Sequence, residues 1–131
     1  MSMAESNALP LRAGWLWAAW LILLVLWTLA LVTPYPVQIR DQVLPHEVGF
    51  PASKVLHVSA YAFLAGFGSF LPLRGGWRWL PVLILSVHGF ATEFCQAFVP
   101  LRTASLHDVG LDHLGILLGL VLTLRWWLVR R

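Results

Sequence analysis

Between Thr92 and Asp108 an otherwise apolar chain collects Glu93, Gln96, Arg102, Ser105, His107 and Asp108. Carboxylates beside a histidine can move protons, and the same carboxylates beside cations can clasp a charged ligand. The apolar runs on either side are long enough to span a bilayer, where an ionisable group at the centre of a span costs roughly 2.5 to 3.5 kcal/mol. Glu93 and Asp108 are therefore site candidates from the start. Other polar residues recur at helical spacing. Lys54, His57 and Tyr61 fall at i, i+3 and i+7; Glu93 and Gln96 at i and i+3; Asp108, Asp112, Gly115 and Gly119 along one further face.

Each candidate has a structural role as well as a chemical one. Glu93 either binds a cationic group or transfers a proton, or is held by Arg102 or Lys54 to fix helix packing. Asp108 suits the first turn of a helix, where the dipole and unpaired N–H groups favour a carboxylate. Asp112 lies beyond that turn and needs a partner, His57 or Lys54. His57 can be a base, a ligand or a donor to a carboxylate, the last being the commonest role. Ser105 is better used as an N-cap than as a nucleophile. His57, Glu93, Asp108 and Asp112 include metal-binding types, yet no HxxxH, HExxH or CxxC spacing occurs and Lys54 and Arg102 would repel a cation. No metal and no cofactor is expected.

The elements that must position these residues follow from composition. The chain has 131 residues, 59% hydrophobic and 11% charged, with a mean hydropathy of +0.75, outside the range of soluble domains. An all-α, four-helix transmembrane bundle forming one domain over residues 13–131 is expected. Residues 1–12 form a polar, disordered tail. The first span runs from Ala13 to Val32, and its length argues against a cleaved signal peptide. Residues 33–53, with Pro34, Pro36, Pro45 and Pro51, make the longest loop, whose middle can lie along the interface. Ser53 offers an N-cap for a second span, Lys54 to Leu71. A basic turn, Leu73 to Trp79, leads to a third span, Trp79 to Val99. Ser105 to Asp108 resembles a capping box opening a fourth span that ends near Leu124. The single Cys95 excludes an internal disulfide.

Four spans put both termini on one side. That side carries Arg12, Arg74, Arg78, Arg125, Arg130 and Arg131, against Arg40, Lys54 and Arg102 on the other, so the termini are expected in the cytoplasm. The polar ends of spans two, three and four then meet at the outer face as one pocket. Gly115-x-x-x-Gly119 permits close helix approach, within the chain or in an oligomer. Nucleic acid is not an expected partner, because no basic cluster is present.

Lys54-x-x-His57-x-x-x-Tyr61, Glu93-x-x-Gln96, Pro100-x-Arg102-x-x-Ser105-x-x-Asp108 and Gly115-x-x-x-Gly119 together resemble the signature of the VanZ-like family of small bacterial membrane proteins. The family is named for a link to teicoplanin resistance. The resemblance implies a multi-pass envelope protein of the bacterial cytoplasmic (inner) membrane that binds or modifies a lipid-linked or cell-wall component, or otherwise lowers glycopeptide susceptibility. Asp112 stands where the family usually has Asn, which adds an anionic group to the site. Glu93, His57 and Asp108 are the candidate catalytic unit, with Lys54, Tyr61, Gln96, Arg102, Ser105 and Asp112 as ligand-binding candidates. A non-catalytic head-group-binding or small-solute transport module is the second functional class.

Overall fold

A computed structural model describes residues 3–129, with side chains from Arg12 onward. Among these residues the chain is all-α, with six α-helices and no strand. Four long helices form the body: α1 (Met3–Val32), α3 (His46–Gly68), α4 (Leu80–Gln96) and α5 (Leu106–Leu122). A short α2 (Tyr35–Val43) joins α1 to α3, a 3-10 turn over Gly75–Trp79 precedes α4, and α6 (Leu124–Val129) follows α5.

Helix boundaries follow local chemistry. The prolines expected to keep residues 33–53 open instead mark helix starts. Pro34 precedes α2, Pro36 lies in its first turn and Pro45 precedes α3, positions where the missing N–H would have had no partner. Helix α3 therefore starts at His46, ahead of the expected Ser53 cap, and carries Pro51 inside it. Ser105 does cap α5, accepting a hydrogen bond from the His107 N–H at 3.2 Å. The stretch expected as a tail is helical from Met3. Met1 and Ser2 of that tail, and Arg130 and Arg131 of the basic count, lie outside the described residues.

Residues 12–32 are the one segment among the described residues that is long and apolar enough to cross a membrane by length and composition, 21 residues containing an 18-residue stretch of mean hydropathy 2.3. Helices α4 and α5 have 17 residues each, at the short end of the roughly 17 to 25 that a span uses. Only 11% of the apolar window in α1 is buried, so it is not the shielded core helix of a soluble domain.

Helix α3 touches α1, α4 and α5, and its closest neighbour is α5. The reason is the glycine seam. A Cβ at Gly115 would lie 2.5 Å from the Val58 carbonyl oxygen, and one at Gly119 would lie 2.3 Å from that of Ala62. Backbone meets backbone, as small residues allow. This face is consumed within the chain, so it does not offer the oligomer contact that its spacing also permitted. The core beside it holds Trp20, Leu64, Ala65, Leu85 and Ile116. Trp20 fixes α1 on α3 by donating from Nε1 to the Leu64 carbonyl at 2.9 Å.

Gly119→Ala should lower stability by about 1 to 3 kcal/mol through forced separation of α3 and α5. Gly110→Ala, where nothing lies within 4 Å, should leave stability unchanged or slightly raised by helix propensity. Thermal melts of the two variants check the contrast.

Candidate functional site

The glycine seam sets the register in which α3 and α5 exchange polar contacts. Lys54 meets Asp108 in an ion pair, and one turn further His57 Nδ1 meets Asp112 Oδ1 at 2.8 Å. Deeper still, Ser69 and Thr123 share a hydroxyl hydrogen bond of 2.9 Å. Residue numbers rise together on both helices, so α3 and α5 run parallel and their polar ends coincide.

The expected partner of Asp112 was His57 or Lys54, and it is His57. Both side chains are buried, at 1% and 5% exposure. The bond engages Nδ1 and fixes the imidazole, leaving Nε2 for other partners. Asp112 Oδ2 is buried without a partner and lies against Gly89 of α4, where an added Cβ would sit 3.3 Å away.

Glu93 and Arg102 differ from expectation. Glu93 pairs with neither Arg102 nor Lys54; its Oε1 accepts from the Ser105 backbone N–H. That bond is the second half of a capping box supplied from another helix. Asp108 stands where a capping-box carboxylate would reach back to Ser105, and it turns to Lys54 instead. Arg102 makes no ion pair among the described residues. Its guanidinium donates to the Ala30 and Thr33 carbonyls at the end of α1, the Thr33 contacts being 3.3 and 3.4 Å. These carbonyls belong to the C-terminal turn, where a cation is favoured.

Arg102 reaches that position through a strained turn. The Arg102 N–H bonds the Val99 carbonyl at 3.2 Å, and Leu101 between them has φ of +65°. Proline at the second position and positive φ at the third describe a type II turn, in which glycine is the usual third residue.

The site residues fall into two layers. In the outer layer, two adjoining cavities of about 190 and 100 Å³ share Val37, Arg40, Ser53, His57 and Arg102 in their walls. Lys54, Gln96 and Asp108 border the smaller. Gln96 is 2% exposed and its Nε2 is buried without a partner. Tyr61 is not in this layer. It is fully buried and meets His88 Nδ1 at 2.8 Å, while His88 Nε2 meets Thr28 Oγ1 at 2.8 Å. His88 thus ties α3, α4 and α1 together with two hydrogen bonds. Glu93 and Asp112 stand behind the cavity rather than lining it.

Two contributors were not among the candidates. Arg40, on α2, lies across Gly49, where an added Cβ would be 3.2 Å from its side chain. Trp27 packs edge-on against the His57 ring at 5.7 Å. Neither stands at helical spacing from the other site residues, so no periodicity points to them. His107 is exposed, 3.8 Å from Asp108, and His113 bonds Ser86 and the Val109 carbonyl; neither lines the cavities. Among the described residues the acids and histidines pair off singly rather than converging in threes.

Arg102 is half-buried. Burial, and next the nearby Arg40, push its guanidinium below the ordinary value while Glu93 opposes them. It remains charged, as arginine does in proteins.

Lys54→Met should cost about 1 to 3 kcal/mol, between the values for exposed and fully buried pairs, because it strands Asp108. Adding Asp108→Leu should recover most of that loss, and a double-mutant cycle by thermal denaturation reads the coupling. Leu101→Gly should gain up to about 1 kcal/mol by relieving the positive φ, seen as a raised melting temperature.

No family model matches the chain, and no curated protein or solved structure matches it.

Proposed function

We propose that this chain is an integral membrane protein of the bacterial envelope, with α1, α3, α4 and α5 crossing the bilayer and both termini in the cytoplasm. In this reading the outer cavity binds a lipid-linked or cell-wall component without covalent chemistry. The VanZ-like motif resemblance points the same way and makes altered glycopeptide susceptibility the phenotype to look for.

The membrane reading is supported by an inverted polarity. Leu21, Ile22, Val25, Leu26 and Leu29 on α1, Phe63 on α3, Val87 and Phe94 on α4, and Leu117 and Val121 on α5 are exposed. His57, Glu93, Gln96, Asp108 and Asp112 are buried. Water would favour the opposite arrangement, whereas hydrocarbon favours this one. Trp77, Trp79 and Trp126 near one end match the aromatic belt of a membrane surface.

The observation that carries the binding reading is the concave pair of cavities where α2, α3 and the α4–α5 link meet, the smaller walled mainly by polar groups and the larger mainly by apolar ones. Binding is favoured over catalysis because the candidate carboxylates already hold other groups. Asp108 holds Lys54 and Glu93 holds the Ser105 N–H. Of the candidate catalytic unit, His57 borders both cavities with one ring nitrogen free of Asp112.

Two measurements test this. In a Cys95→Ala background, Glu47→Cys should react with an impermeant thiol reagent on intact cells and Gly76→Cys should not; the reverse pattern overturns the topology. Native mass spectrometry of detergent-purified protein should show an unaltered lipid bound one to one. A processed lipid product would favour an enzyme instead, and no adduct at all would sink the binding reading.

A further inference from the structure

Resting on that binding reading, we infer that the outer cavity is a phosphate site. It takes the phosphate of a lipid head group or of a free phosphate through Arg40, Arg102 and the Gln96 amide.

The walls of the smaller cavity are rich in donors. Arg40, Lys54 and Arg102 border the cavities, with Asp108 as the acidic residue beside them. Asp108 is occupied by Lys54, which cancels both charges. Arg40 is paired with Asp41, whose side chain is 50% exposed and does not line either cavity. Arg102 has no carboxylate in ion-pair range among the described residues, only carbonyl acceptors. Arg102 thus faces this small space with no carboxylate on it, beside Arg40, whose partner Asp41 is half exposed, and the two guanidinium groups repel each other. An oxyanion between them removes that repulsion and suits the planar, forked geometry of guanidinium donors.

The neutral groups make the same demand. Gln96 Nε2 is buried with no acceptor, and leaving such a donor unpaired costs stability unless a ligand completes it. Trp27, whose Nε1 is likewise buried and unpartnered, borders the larger cavity. Ser53 borders both cavities and Thr103 the smaller, adding hydroxyl donors.

The nearby acids do not forbid an anion. Asp112 is engaged by His57, Asp108 by Lys54 and Glu93 by a backbone N–H, so each faces a donor of its own. A tetrahedral oxyanion with several acceptor oxygens uses the remaining donors. A zwitterionic choline phosphodiester carries a single negative charge and a bulky cation, and meets this small space less well.

The test uses full-length protein in nanodiscs of phosphatidylcholine. Titration calorimetry with inorganic phosphate and with dihexanoyl phosphatidic acid should show saturable, salt-sensitive binding. Dihexanoyl phosphatidylcholine should not compete. Arg40→Gln and Gln96→Leu should each weaken binding at least about tenfold while Arg74→Gln, at the opposite end, leaves it unchanged. Circular dichroism melts identify any variant that fails to fold, and Arg40→Gln, on the short surface helix, keeps the test open if Gln96→Leu does. Binding of phosphatidic acid alone assigns the site to a lipid head group, and binding of both probes in competition assigns it to phosphate generally. Stable protein that keeps its native lipid adduct but binds neither probe overturns this inference and leaves the binding reading standing. Unchanged affinity in folded Arg40→Gln overturns it as well.

Discussion

Everything at the polar end depends on how closely α3 and α5 approach. Gly115 and Gly119 let their helix rest on the Val58 and Ala62 carbonyls, and any side chain there would push the axes apart. Because the helices run parallel, one register serves their whole length. Lys54 reaches Asp108, His57 reaches Asp112 and Ser69 reaches Thr123, each pair about one or more turns below the last. Hydrogen bonds are unforgiving of distance, so the pairs exist only because the glycines remove bulk between them. Packing and polar chemistry are one feature here.

The link between α4 and α5 ties separate helices to that frame. Glu93 from α4 satisfies the first turn of α5 through the Ser105 N–H. Arg102 satisfies the last turn of α1. Both contacts use helix termini, where backbone groups lack intrahelical partners. The link bends at Leu101, whose positive φ stores strain that the surrounding contacts hold in place. The bend brings Arg102 into the cavity wall alongside Arg40 from α2, so the link shapes the cavity as well as closing the bundle.

A second polar layer gives the bundle its cross-ties. Tyr61, His88 and Thr28 connect α3, α4 and α1. At the other end Trp127 donates to Ser69 at 2.8 Å and accepts from Arg78 at 3.0 Å, joining α3, the turn before α4 and α6. In the membrane proposed for this chain, such bonds lack competing water, and each unmade partner would be costly. The orphaned Gln96 and Trp27 donors stand out against that pattern, and both belong to cavity walls.

By itself the sequence determined the helical class, the approximate extent of the long helices, the Ser105 cap and the faces bearing Lys54, His57, Asp108 and Asp112. Those depend on local periodicity and on near neighbours, which a linear chain displays. It also confined Asp112 to two partners, of which the structure chose one. Tertiary structure alone decided that Glu93 serves Ser105, that Arg102 serves α1 and that Tyr61 joins His88 instead of the cavity. Each of those outcomes turns on rotation and separation between helices distant in sequence, set by packing at the glycines and by a strained turn. Arg40 entered the site for the same reason: its helix starts behind prolines that could equally have held a loop open, and only the folded chain lays it across Gly49.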